Sequence, residues 1–541
     1  MSFSTGINST AATGTRNRTP NSVCSFSGLC VTCIEGCTGL CEVGRSAVRG
    51  REVIYPKPYG KITTASQKDY PIDFSHFNIL GTAVGAQGAE ADSDKATFPA
   101  VDVEQLVGGS PASGGDAIKL RLPVIISALG STQVARDNWE GLAIGAAISG
   151  TILTIGENVC AMDPEAEFKN GQVVRSRDME RRVKLYKDWH DGYGTIVVQA
   201  NVEDTRLGVL EYAIEELGVD TVEIKWGQGA KDIGGEVKLS SLEDALKMKS
   251  RGYIVMPDPE DPEVERAYRQ GAFREFERHS RIGMVDRESF ISRVEQLRRA
   301  GAKHIFLKTG AYRPSDLARA LRYASDAQID LVTVDGAGGG TGMSPWRMMN
   351  EWGIPTVFLE ALVVDYMDRL NGKGAYLPDI AIGGGFALED QVFKGLALGA
   401  PYVKAIGMSR APITAVMVGK TISGLIQDGK LPPDLAGYGG DVEQVFASAH
   451  LLRKKYGEAF ENIPASAVAL FSYFDRLSYG LRQFMCGARK FALGYITRDD
   501  LVALTEEASR LTGIPYVTEL DREEAYSILE GEGSERMVGV A

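Results

Sequence analysis

Residues 304–340, HIFLKTGAYRPSDLARALRYASDAQIDLVTVDGAGGG, contain the unit on which the fold turns. An apolar run from His304 to Thr309 stops at a glycine. A stretch with apolar residues three and four apart follows, as on one face of a helix, and a second β-branched run then breaks into bare backbone. Taken alone, the glycine loop reads equally well as a flexible turn or as backbone stripped so that its N–H groups can approach a flat or anionic ligand.

Outward from this unit, short runs of Val, Ile and Leu recur, each ending in polar or glycine-rich residues: PVIIS, TILTIG, TIVVQA, TVEIKW, PDIAIGG and YVKAIGM. With the two already quoted they make eight strand-and-helix units, and the pattern predicts an α/β fold of the (β/α)8 TIM-barrel type. A doubly wound open sheet alternates in the same way. The barrel is favoured because Lys, Gln, Asp and glycine clusters fall at strand C-termini, the face on which barrel active sites are built.

The expected organisation is a poorly ordered arm over 1–22, a Cys-rich segment over 23–60, the barrel over 61–415 and a helical extension over 416–541. At 541 residues and 44% hydrophobic the chain can bury a large core. Its net charge of −12 argues against a general nucleic-acid or anionic-membrane binder. The most apolar stretch, residues 142–156, is shorter than a membrane span, and the polar N-terminus has no apolar signal region. These features predict a cytoplasmic enzyme of small molecules, with a homo-oligomer expected.

Four strand-end motifs carry the candidate chemistry. IISALGST ends in Ser127, Ala128, Leu129, Gly130 and Ser131, small enough for an aromatic ring to lie against the backbone, or simply a tight turn. ILTIGEN presents Thr154, Gly156 and Glu157. EIKWGQGAKDIGGEVKL interleaves Lys225, Gln228, Lys231 and Glu236 with glycines, a positive well suited to a dicarboxylate or a reduced flavin, and Arg251 further on could add a carboxylate fork. The last pair of strand ends, AIGGG and VKAIGM, offers Gly383, Gly384, Gly385, Gly407 and Met408 where barrels commonly hold phosphate.

The segments KWGQGAKDIGGEVKL, VDGAGGGTGMSPWRMM, AIGGGFALEDQVFKGLALGAPYVKAIG and IISALGSTQVARDNWEGLAIGA together resemble the FMN-binding synthase domain of glutamate synthases, over about residues 75–420. The resemblance implies FMN at the strand C-termini. Its phosphate would lie on Gly384, Gly385 and Gly407, and its ring against Ser127, Ala128, Leu129 and Gly130. Lys308 and Gln199 would contact the isoalloxazine, and Lys225, Gln228, Asp335, Gly336, Gly339, Gly340, Gly383 and Met408 belong to the same cofactor face. A 2-oxoglutarate site maps onto Glu157, Lys231 and Arg251 as the catalytic set. The chain departs from the family in having Glu236 where Gln is usual, in lacking cysteines after the last strand, and in beginning MSFST rather than with a catalytic cysteine of an amidotransferase domain.

Cys24, Cys30, Cys33, Cys37 and Cys41 crowd one short segment, and only Cys160 and Cys486 lie elsewhere. This spacing can close around an iron–sulfur cluster, Fe4S4 first and Fe3S4 second, with Cys30, Cys33, Cys37 and Cys41 as the preferred ligands and Cys24 as a fifth candidate. Zinc held as a structural staple is the competing reading. The expected function is an FMN-dependent oxidoreductase acting on CH–NH2 donors. Electrons would pass from an external donor, such as ferredoxin or an NAD(P)H-oxidising flavoprotein subunit, through the cluster to FMN, and on to the imine of a 2-oxo acid and ammonia. The competitors are a dehydrogenase of another small metabolite and a non-catalytic electron-transfer subunit. A hydroxy-acid oxidase is disfavoured, because DGAGGGTGMSP carries no histidine.

Overall fold

In the computed structural model the described residues are 64–65, 70–89, 94–230, 236–341 and 343–531. All five clustered N-terminal cysteines, and Lys231, lie outside them. Eight parallel strands close into a barrel: β1 (Val124–Leu129), β2 (Ile152–Ile155), β3 (Ile196–Ala200), β4 (Thr221–Lys225), β5 (His304–Thr309), β6 (Leu331–Asp335), β7 (Asp379–Gly383) and β8 (Val403–Met408). Each strand pairs with its neighbour in sequence, and β8 returns to β1. The barrel expected from the strand rhythm is the observed fold, and a helical C-terminal region follows it.

Alternation along each strand stacks the interior in layers. Ile125, Ile152, Val197, Phe306, Leu331, Ala381 and Ala405 form the lower layer. Beneath them an antiparallel hairpin, Gln105–Gly108 with Ala117–Leu120, inserts Val107, Ile118 and Leu120 and closes the bottom. Two residues further up the strands the interior turns polar: Ser127, Thr154, Gln199, Glu223, Lys308 and Thr333 are all buried. An apolar floor under a polar layer leaves only the C-terminal mouth for chemistry.

Five helices matter below: α1 (Trp139–Ser149), α2 (Arg287–Ala300), α3 (Pro314–Asp326), α4 (Arg410–Gln427) and α5 (Ala465–Gly487). The long α5 lies against α1 and α4. Close approach requires glycine here, because a Cβ at Gly419 would sit 2.5 Å from that of Ala469. The extension also adds a strand, Leu501–Ala503, antiparallel to Phe77–Ile79. After β4 the insertion forms a small antiparallel sheet of Glu236–Leu239, Phe276–His279 and Ile254–Met256. At the mouth, Thr64–Ala65 pairs with Gly340–Thr341, which ties the chain just after the Cys-rich segment to the glycine loop following β6.

Candidate active site

The strand ends surround one cleft that is open to solvent. Ser127, Ala128, Leu129, Gly130, Glu157, Gln228, Lys308, Asp335, Gly339, Gly384, Gly385, Gly407 and Met408 all line it. Most of the residues singled out in sequence therefore meet in one place. Gln199 lies below them in the polar layer, and Lys225 borders an adjoining chamber.

The glycines divide into two groups. Gly336 and Gly384 hold the loops together: a Cβ on Gly336 would come within 2.4 Å of Thr356 Oγ1, and one on Gly384 within 2.5 Å of the Gly336 carbonyl. Gly384 also has φ +114°, which favours glycine. Gly339 and Gly385 have room for a side chain instead, for a Cβ on either meets nothing nearer than 3.6 Å, although Gly385 also has φ +104°. Gly383 packs at the end of β7 toward Asp335, and Gly340 spends its backbone on pairing with Ala65.

Charge is concentrated on one side of the floor. Lys308 Nζ lies 3.4 Å from Asp335 Oδ2. Burial disfavours its ammonium, but the Asp335 and Glu223 carboxylates outweigh that and hold its pKa above the ordinary lysine range. Burial raises the Glu223 pKa, against the pull of Lys308, Gln199 and Lys225. Gln199 Nε2 donates to Glu223 Oε1 at 2.5 Å. Lys225 Nζ bridges Glu157 Oε1 at 2.7 Å and Gln228 Oε1 at 3.1 Å.

Glu157 is set by its turn. The next residue, Asn158, takes the left-handed conformation at φ 67°, and its N–H donates to the buried Asp204 carboxylate at 2.9 Å. Arg278, from the insertion sheet, donates to Asn158 Oδ1 at 3.0 Å. Behind the neighbouring turn, Arg182 donates to the Gly130 carbonyl at 3.0 Å.

Arg251 is not brought to the cleft. Its guanidinium donates to the carbonyls of Ala161 and Asp163 and lies 4.9 Å above the Phe168 ring. Two residues that the sequence reading passed over do belong to the site. Glu223 sits in a run that reads as ordinary strand, and its inward parity, shared with Lys225, was the available signal. Arg410 opens α4 beside Gly407 and lines the cleft, and its guanidinium makes no ion pair with a described residue. Its place directly after the last strand could have marked it.

The family model described as "Conserved region in glutamate synthase" matches residues 278–418. Archaeal-type glutamate synthases [NADPH] of Thermotoga sp. strain RQ2 and of Thermotoga maritima are each 26% identical over 289 residues, covering 53% of this chain and 47% of the relative. The chain thus matches about half the length of these curated relatives. The recombinant flavin-binding domain of baker's yeast flavocytochrome b2 superposes with a TM-score of 0.43 at 12% identity, covering 86% of this chain and 83% of that one. The resemblance to glutamate synthases carried by the quoted motifs is present in these matches, most directly across β5 to β8. No helix among the described residues is long and apolar enough to cross a membrane.

Proposed function

From this resemblance and this cleft, we propose that the chain is a flavoprotein oxidoreductase of the glutamate synthase kind, which holds FMN at the barrel mouth and reduces the imine of a 2-oxo acid. The observation that carries the reading is the backbone at Gly339, which lines the cleft without a positive φ and where a Cβ would meet nothing nearer than 3.6 Å. A flat ring and a phosphate fit such a cradle. Gly384, Gly385, Gly407 and the N-terminus of α4 would hold the phosphate, with Arg410 adding a cation. Ser127 to Gly130 would back the ring, and Lys308, with Gln199 and Glu223 below it, would meet its polar edge.

When bound, FMN supplies a hydride. The net reaction takes a 2-oxo acid, ammonium, two electrons and two protons to an amino acid and water, and 2-oxoglutarate would give glutamate. The chain's own residues do the rest. Lys308, kept charged by its carboxylates, stabilises negative charge in its surroundings. Glu157, fixed by the Asn158 turn, faces the cleft as the group to orient ammonia or an iminium, and Lys225 holds it in place and offers a cation to a carboxylate. Lys231 remains the candidate for a further carboxylate contact.

Electrons would enter from an external donor through an iron–sulfur cluster on Cys30, Cys33, Cys37 and Cys41, with Cys24 in reserve. The pairing of Thr64–Ala65 with the cleft-side loop supports this route, since it tethers the chain beyond Cys41 at the rim. The test is the visible spectrum of purified protein. Flavin bands are expected with a broad shoulder that is lost when the N-terminal cysteines become serine. After dithionite reduction, 2-oxoglutarate with ammonium should reoxidise the flavin and yield glutamate. Protein that takes up no FMN refutes the reading.

A further inference from the structure

A second chamber opens beside the cleft, and the two share Glu157 and Gln228 as a common wall. Lys225 stands at that wall, its ammonium 2.7 Å from the Glu157 carboxylate. Beyond it the chamber is lined by Arg206, Arg281, Arg293 and Arg319, drawn from the helix after β3, the loop at 281–285, α2 and α3. Among the described residues, only two carboxylates, Glu157 and Asp316, face the same space. A concave space with so cationic a lining draws anions.

These arginines are not balanced one for one. Arg319 pairs with Asp316 at 2.6 Å and Arg293 forks onto Glu211, but Arg206 and Arg281 share the single carboxylate of Glu203, at 2.6 and 2.9 Å. Burial opposes the charge on Glu203, yet its bonds from Arg281 and Arg206 outweigh that and hold its pKa below the ordinary range, so it offsets one cation. One positive charge is left over at the pair. Glu203 is 2% exposed, whereas the Arg206 and Arg281 side chains are 49 and 42% exposed. Both reach Glu203 through Nη1, and their Nε and Nη2 bond no described residue. The backbone N–H of Arg281 also donates to Glu203, at 2.8 Å, and its Nη1 to the Gly252 carbonyl at 3.3 Å, which fixes this side chain at both ends. Two guanidinium edges held over a buried carboxylate form a preorganised seat for an anion.

We infer that Arg281 and Arg206 bind the distal carboxylate of the substrate, and so select a 2-oxo acid with a second carboxylate at the far end of its chain. This rests on the reading of the cleft as the place where a 2-oxo acid imine is reduced, and it names the residues that choose 2-oxoglutarate. The first carboxylate and the reacting carbon stay at the shared wall, by Lys225 and Glu157, and the chain extends into the chamber. A monocarboxylic acid of the same length leaves the surplus charge unanswered, which is the source of the discrimination. Arg251, the fork that the family resemblance assigns to this carboxylate site, is spent on two carbonyls and lines neither space, so selection passes to a different pair of arginines.

The full chain, as purified and with FMN added, is titrated by calorimetry with 2-oxoglutarate and with 2-oxopentanoate, which carries a methyl group in place of the distal carboxylate. FMN binding is measured separately by flavin fluorescence. 2-Oxoglutarate is expected to bind at least about tenfold more tightly than 2-oxopentanoate. Arg281→Gln leaves Glu203 its bonds from Arg206 and from the backbone N–H at position 281, so the fold tolerates it. It is expected to weaken 2-oxoglutarate about tenfold and to leave 2-oxopentanoate unchanged, and Arg206→Gln should act in the same direction. A merely structural role would weaken both acids alike. Equal affinity for the two acids, no binding of 2-oxoglutarate, a preference that both variants retain, or a parallel loss of both acids overturns the inference, whether or not FMN is held. A preference that disappears with Arg281, in protein that takes up no FMN, upholds the carboxylate seat and removes the flavin reading alone.

Discussion

Two glycines three residues apart in one loop should behave oppositely when each is changed to alanine. At Gly336 the new methyl would stand 2.4 Å from Thr356 Oγ1 and 2.6 Å from Thr356 Cα, so helix backbone would have to move. Overpacking of this kind costs about 1–3 kcal/mol. At Gly339 the nearest atom is Gly384 Cα at 3.6 Å, and the residue is not among the positive-φ glycines. Alanine there leaves the fold unstrained and removes unfolded-chain freedom, worth a gain of about 0.4–1 kcal/mol. The Gly339 methyl enters the cleft, however, and takes space that the proposed flavin needs. A tenfold loss of FMN affinity, about 1.4 kcal/mol, is the least expected. Urea denaturation of the FMN-free protein and quenching of flavin fluorescence separate the two effects. Gly336→Ala should lower the midpoint, whereas Gly339→Ala should hold or raise it and weaken FMN. If Gly339→Ala bound FMN as well as the parent does, the assignment of this backbone to the ligand would be wrong.

Arg410→Ala should weaken FMN about tenfold and leave riboflavin unaffected, because the guanidinium has only the phosphate to recognise; equal losses for both would show that it contacts the ring or merely supports α4. Arg251→Met should destabilise the protein by about 1–3 kcal/mol through its two orphaned carbonyls, with no change in the affinity for 2-oxo acids; weaker acid binding at unchanged stability would return Arg251 to the site. Asp379 accepts from the Gly108 N–H at 2.8 Å, and burial raises its pKa to about 6. Between the ordinary carboxylate pKa near 4 and this value the folded protein holds a proton that the unfolded chain has lost, so this group makes stability fall as pH rises through that window. Asp379→Asn keeps an acceptor for Gly108 and removes the titration. Denaturation midpoints at pH 4, 5 and 6.5 should then decline less in the variant than in the parent, and parallel profiles would contradict the shift.

The barrel was legible because its strands are covered on both faces, which makes each a run of Val, Ile and Leu that stands out from the amphipathic helices between them. Its strand-end loops were legible for a related reason: glycine and lysine in place of branched residues at the ends of such runs are costly unless the backbone or a charge is needed there. What escaped was whatever depends on the third dimension. Glu223 looks like a strand residue on a solvated face until closure of the barrel turns its parity inward beside Gln199 and Lys308. Arg251 keeps a suggestive spacing from Lys231, but spacing along a chain that passes through a small sheet does not say where a guanidinium ends. The second chamber could not be read at all, since its walls come from the end of β4, the loop at 281–285, α2 and α3, and no one of these is unusual in sequence.

The glycines show why such a limit is physical. A glycine in a sequence records only that a side chain is absent, and three different pressures remove one: a positive φ, as at Gly384; a neighbour too close to admit a Cβ, as at Gly336 against Thr356; and space reserved for something that is not protein, as at Gly339. The first two are satisfied inside the fold, and the third is satisfied only by a ligand. In the loops after β6 and β7 all three occur within a few residues, so the density of glycine overstates the binding surface. The cradle proper is the subset whose missing Cβ would clash with nothing and that needs no positive φ, and the cofactor reading stands on that smaller set.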